Sequence, residues 1–125
     1  MDAVKCPYCG KSAEWVENKE VYGRNYGKSF MIWLCRSCNA YVGCHENTMK
    51  PLGTMANKDL REWRMKAKNL FIVKKMDGTW KNKKLKAKAY YWLNKAMGRE
   101  FHFGESTTED CKAIVEILEG KNEHQ

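Results

Sequence analysis

The sequence predicts an α+β fold: a small β-rich module stapled by four cysteines, packed with about three α-helices that follow it. Three observations predict it. Cys6 and Cys9, then Cys35 and Cys38, form two Cys-x-x-Cys pairs separated by twenty-five residues. The stretch between the pairs is rich in strand formers, above all Phe30-Met31-Ile32-Trp33-Leu34. Beyond residue 56, apolar residues recur at helical spacing. A chain of 125 residues accommodates one compact domain, or a domain with a metal-stapled module. Its 43% hydrophobic and 30% charged residues are those of a globular protein and exclude a disordered chain. The longest apolar runs, Phe30–Cys35 and Ala89–Leu93, are too short to cross a bilayer, so no membrane partner is expected. The first thirty residues carry no apolar secretory signal, which predicts an intracellular protein.

The first knuckle is Cys6-Pro7-Tyr8-Cys9-Gly10 and the second Cys35-Arg36-Ser37-Cys38-Asn39. A two-residue gap lets both sulfurs of a knuckle turn to one ion about 2.3 Å away, while the following backbone N–H groups point at the sulfurs. Gly10 suits the positive φ that such a turn demands. Disulfides or redox pairs are the other use of such thiols. A redox Cys-x-x-Cys sits at a helix start in a thioredoxin-like βαβ context, which neither pair has. All-sulfur tetrahedral sites take iron as well as zinc. Without a sign of redox work, the expected cofactor is one structural Zn2+ on Cys6, Cys9, Cys35 and Cys38.

Between the knuckles, Ala13, Trp15 and Val16 read as a short strand, and Val21-Tyr22 as another. The turn region Gly23–Gly27 follows, then Phe30–Leu34, which runs straight into Cys35. Tyr41-Val42-Gly43 continues after the second knuckle. Two knuckles joined by short antiparallel strands make a zinc ribbon. A ribbon of this size buries too little apolar surface to stand alone, so the metal supplies much of its stability.

The second half reads as helical. Asn57 is a good N-cap, with Asp59 in the first turn. Leu60, Trp63, Ala67, Leu70 and Phe71 form the apolar face, and Arg61, Arg64, Lys66, Lys68, Lys74 and Lys75 the opposite one. Asp77-Gly78 signals a turn, and Lys81-Asn82-Lys83-Lys84 a basic linker. Leu85, Ala89, Trp92, Leu93 and Ala96 mark a second helix, ended by Gly98. Ser106-Thr107-Thr108-Glu109 reads as a capping box for a third. That helix carries the stripe Cys111, Ile114, Val115 and Leu118 and stops at Gly120. The expected division is a ribbon over 1–45, a basic helical region over 46–120 and a disordered tail over 121–125.

The net charge of +8 is uneven: +2 over residues 1–50, +10 over 51–100 and −4 over 101–125. The basic middle is the part that meets a polyanion, unless it is simply a solvated lysine-rich surface. Arg61, Arg64 and Lys68, with His45, suggest an anion pocket, because arginine forks match phosphate. The competing reading is an ordinary amphipathic helix neutralised by Asp59 and Glu62. Lys81, Lys83, Lys84, Lys86 and Lys88 lie among Trp80, Tyr90, Tyr91 and Trp92. Interleaved lysines and aromatics neutralise phosphates and stack bases. Trp92 fits the apolar face, which leaves Tyr91 and Trp80 as the exposed aromatics. The expected nucleic-acid contacts are thus Arg61, Arg64, Lys68, Lys81, Lys83, Lys84, Lys86 and Lys88.

Cys44, His45 and His102 have two readings. They form a second metal or active site, or else Cys44 packs as a small hydrophobe while His45 holds the Pro51–Thr54 loop and His102 caps a turn. Cys111 belongs to the apolar stripe. The sequence has no phosphate-cradling glycine loop, no HExxH, no GxSxG and no deaminase signature. Its acids in the basic region are few and dispersed, so an enzyme is not expected.

Several blocks occur in order: Cys-Pro-Tyr-Cys-Gly at 6–10, Tyr22-Gly23, Cys35-x-x-Cys38, Ala40-Tyr41-Val42-Gly43-Cys44-His45 and Pro51-Leu52-Gly53-Thr54-x-Ala56. Leu60-Arg61, Arg64, Ala89-Tyr90-x-Trp92-Leu93, His102-x-Gly104 and Cys111 complete the series. On these blocks, from about residue 5 to residue 118, the chain resembles a zinc-finger-containing family encoded by phages and prophages. The resemblance implies a zinc-binding fold and a viral setting, hence the host cytoplasm, and no established activity. The sequence departs from the pattern at Lys68, where the family tends to have histidine, and at Ile72, where it tends to have an acidic residue. The expectation that follows is a zinc-binding accessory protein that meets DNA or RNA through its basic helices. One alternative is a small phage protein that modulates a host protein, such as a polymerase or a defence complex. Another is a nuclease or hydrolase that uses His45 and His102.

Overall fold

The computed structural model describes residues 3–78 and 80–120. In chain order they form β1 (Glu14–Glu17), α1 (Lys19–Tyr22), β2 (Met31–Cys35), β3 (Ala40–Gly43), α2 (Lys58–Lys75), α3 (Lys83–Met97), a 3-10 turn (Phe103–Glu105) and α4 (Thr108–Leu118). The α+β class and the three helices of the second half are as the sequence predicts. The expected tail at 121–125 lies outside the described residues. The chain divides into two compact units, Met1–Asp59 and Leu60–Gln125.

The first unit is built on a three-stranded antiparallel sheet in the order β1-β2-β3. β2 is central because its apolar run can be covered from both sides: Ile32, Trp33, Leu34 and Cys35 are all buried. Trp33 stands opposite Trp15 on one neighbour and Val42 on the other. The indoles of Trp15 and Trp33 meet at 5.0 Å between ring centroids. Trp33 donates its Nε1–H to the Met49 carbonyl at 2.8 Å. That bond satisfies the one polar atom of a buried indole. Past β3 the chain doubles back. Cys44 bridges to Pro51, Leu52 donates to the Gly43 carbonyl, and Tyr41 and Ala56 exchange backbone hydrogen bonds. These bonds carry the first unit on to Asp59.

Val21-Tyr22 is helical rather than extended. The reason lies in Asn18, which is 5% exposed. Its side chain donates to the Tyr26 carbonyl at 2.9 Å and accepts from the Tyr26 N–H at 3.0 Å. This clamp closes the Asn18–Tyr26 loop and leaves room for one helical turn. Gly23, at φ 84°, ends that turn in the left-handed region.

The second unit packs α2, α3 and α4 around Phe71, Leu93, Phe101, Ile114 and Cys111, with Ala67, Met76, Ala89, Val115 and Leu118 beside them. Phe71, Phe103 and Tyr90 interlock as tilted or edge-on rings. Asn82 caps α3 by accepting from the N–H groups of Lys84 and Leu85, and Gly98 closes it at φ 72°. The capping box of α4 falls one residue later than the sequence suggests, on Thr107 and Asp110. Ser106 is unavailable as a cap. It is buried, its hydroxyl donates to the Phe103 carbonyl at 2.7 Å, and the same oxygen lies 3.4 Å from Cys111 Sγ. Among the described residues, no helix is long and apolar enough to cross a membrane.

Candidate metal centre

Cys6 and Cys9 sit in the turn that precedes β1, and Cys35 and Cys38 bracket the turn between β2 and β3. Each turn is shaped by backbone. In the first knuckle the Gly10 N–H donates to the Cys6 carbonyl at 2.8 Å, and Gly10 takes φ 78°. In the second, Asn39 takes φ 51° and donates its N–H to the Arg36 carbonyl at 3.3 Å. Asparagine tolerates this left-handed conformation better than most residues.

The turns bring the four thiol sulfurs within 4.8 Å of one another. Cys9 Sγ and Cys35 Sγ are 3.7 Å apart. Four sulfurs at about 2.3 Å in a tetrahedron would stand about 3.8 Å from each other, so this spacing fits a zinc–thiolate shell. Backbone donors support it: the Tyr8 N–H reaches Cys6 Sγ at 3.4 Å. The Ser37 hydroxyl and the Cys38 N–H lower the Cys35 thiol to about 6. Desolvation, followed by hydrogen bonding with the neighbouring thiols, pushes Cys38 up to about 12. Four thiolates crowded within this distance would repel one another. A divalent ion removes the conflict, because it lets all four ionise. The donor set therefore fits one structural zinc, as the Cys-x-x-Cys spacing predicts. Cys6 and Cys35 are buried while Cys9 is exposed, so the centre lies at the edge of the unit's core.

The other candidates are placed as follows. Cys44 is buried in the ribbon core, and burial raises its thiol pKa, so it is a neutral packing group. His45 is exposed, and its backbone N–H donates to the Lys50 carbonyl. His102 belongs to the second unit, is exposed, and stands 3.4 Å from Glu100. Among the described residues, the four knuckle cysteines form the only group of three or more candidate metal ligands. Cys111 is fully buried, and burial raises its pKa as well.

Among the basic candidates, Arg61 is half-buried near the start of α2. Arg64 directs Nε and Nη2 to the Ser106 carbonyl at 3.1 and 2.9 Å, so its fork holds the turn before α4. Lys68 and Lys86 place their ammonium groups 4.6 and 4.2 Å from the ring centroid of Trp80. That ring is half-buried against the core rather than exposed. Lys81, Lys83, Lys84 and Lys88 are exposed. Tyr91 is 66% exposed, in line with its reading from sequence. Sequence reasoning missed Lys95, which lies 5.3 Å from the Tyr91 ring. The signal was present: Lys84, Lys88, Tyr91 and Lys95 are spaced four, three and four apart, which aligns them on one helix face.

A four-thiolate centre between two hairpin knuckles on a small antiparallel sheet defines a zinc-ribbon protein. The family model described as a zinc-finger-containing domain matches residues 2–121, and the chain belongs to that family. No curated protein and no solved structure matches the chain.

Proposed function

We propose that the helical unit binds nucleic acid by contacting phosphates, with α3 as the contact surface and the zinc ribbon as its companion module. The observation that carries this reading is where the lysines stand. Lys81 precedes α3, Lys83, Lys84 and Lys86 occupy its first turn, and the helix holds no acidic residue at all. The N-terminal end of a helix carries a partial positive charge, so cations there cost stability, up to about 1 kcal/mol each. Like charges four apart, as in Lys84 and Lys88, cost a few tenths more. A fold built for stability alone would place acids at those positions. A surface built to receive a polyanion concentrates cations there, and the positive end of the helix dipole adds to the attraction.

Phosphate contacts fix position and supply affinity without reading sequence. The phage or prophage setting implied by the family resemblance would place this binding in the host cytoplasm, on DNA or RNA. The test is a triple variant, Lys83→Gln, Lys84→Gln and Lys88→Gln, measured against labelled DNA and RNA across a salt series. Each lysine that meets a phosphate contributes about one unit to the slope of log affinity against log salt. The reading expects weaker binding to every sequence, a shallower slope and a raised melting temperature. Unchanged affinity with an unchanged slope would refute it.

A further inference from the structure

The ribbon unit carries an aromatic surface that its zinc centre does not use. Tyr22 and Tyr26 are 49% and 47% exposed, although large apolar rings gain by burial. Their rings meet edge-on with centroids 5.6 Å apart, and Tyr22 meets Tyr41 in the same way at 6.0 Å. Tyr22 and Tyr26 line an open cavity of about 470 Å³. The Arg24 guanidinium lies 4.7 Å from the Tyr26 centroid. The loop that presents them is held firmly. The buried Asn18 binds both polar backbone groups of Tyr26, and Asn25 accepts from the Lys19 N–H and donates to Glu17. The nearby acids are taken up by cations of their own. Glu17 pairs with Lys19 at 3.3 Å, and Glu14 and Glu20 pair with Arg36 at 2.9 and 2.8 Å.

We infer that Tyr22, Tyr26 and Arg24 form a stacking site for an unpaired nucleobase, so that the chain's nucleic-acid ligand is single-stranded. This rests on the nucleic-acid reading of the helical unit and narrows its substrate class. Rings held in place by the surrounding loop stack a base at little entropic cost, and stacking accepts any base because every base has a π-face. A guanidinium on the neighbouring ring supplies the charge complementary to the adjoining phosphate and strengthens the stack. A duplex hides its base faces and cannot use such a site.

The test uses the zinc-loaded full chain and two probes: a labelled oligothymidylate of about 12 nucleotides and a duplex of equal length. Three proteins are compared: the parent, Tyr22→Leu with Tyr26→Leu, and Tyr22→Phe with Tyr26→Phe. Zinc content reports that each ribbon is folded. The leucine pair is expected to weaken oligothymidylate binding about 10-fold or more while leaving duplex binding unchanged, and the phenylalanine pair to bind like the parent. Equal losses on both probes, or no loss on either, would overturn the stacking site. So would binding of a proline-rich peptide at these tyrosines in place of the oligonucleotide. If the helical lysine variants weaken binding and the tyrosine variants do not, the stacking site alone fails. If the parent binds neither probe at low salt, both readings fail.

Discussion

Four thiolates within 4.8 Å repel one another unless a cation neutralises them, and a zinc ion does so. Zinc held by such a shell contributes about 10–16 kcal/mol at neutral pH, more than a ribbon of this size can gain by burial. Cys35→Ser is therefore expected to reduce bound zinc from one ion per chain to a small fraction and to unfold the sheet. Cys111→Ala, which alters only a core thiol of the other unit, is expected to keep the full zinc complement. Metal analysis of the two purified variants checks both outcomes. Arg64 shows where reading single residues falls short. Its fork matches phosphate on paper, but the structure turns it onto the Ser106 carbonyl, forty-two residues away. Such a partner cannot be seen in a local pattern. Arg64→Lys loses the two-pronged contact and is expected to lower the stability of the helical unit by about 1–2 kcal/mol. Its effect on the salt slope of nucleic-acid binding should be negligible, which a melt and a salt titration of the variant would show together.

The elements followed their local signals wherever those signals acted through the backbone. Strand β2 runs into Cys35, α3 begins at the Asn82 cap, and Gly98 ends it, because turn and cap chemistry is written in neighbouring residues. The signal failed where a side chain was already committed elsewhere. Ser106 looks like the better cap for α4, but its hydroxyl is spent on Phe103, and the box moves to Thr107 and Asp110. Likewise, Val and Tyr at 21 and 22 favour a strand, but the Asn18 clamp imposes a turn of helix. The α4 cap is titratable. Burial opposes ionisation of Asp110, but hydrogen bonds from Thr107 and the Arg99 guanidinium outweigh it and hold the carboxyl below its ordinary 3.8. A depressed folded pKa stabilises the fold above the unfolded value and loses that stabilisation as pH falls through the folded value. The melting temperature of the parent should thus drop below about pH 4 by more than that of Asp110→Asn. At neutral pH the variant should be less stable by about 1 kcal/mol. Melts of both proteins across the acid range would decide it.

At the scale of the whole molecule, the two units draw their stability from different sources. The first depends on its metal, and the second on a core of aromatic and aliphatic side chains from three helices. Removing zinc with a strong chelator should abolish the tertiary signal of the ribbon tryptophans while most of the helical circular dichroism remains. Collapse of the helical signal in step with zinc loss would contradict independent units. The α+β class was legible from sequence, because cysteine spacing and helical periodicity occupy separate stretches. What sequence did not show was how lysines and rings pair across elements, as Lys68 and Lys86 do on Trp80, since that pairing exists only after α2 and α3 have packed. The central functional claim is that the basic helical surface meets a polyanion, and one titration tests it most directly. The zinc-loaded protein is titrated with single-stranded and double-stranded DNA and RNA at about 50 and 200 mM salt. The account predicts binding at low salt that weakens steeply as salt rises. An absence of binding to all four at low salt would contradict it.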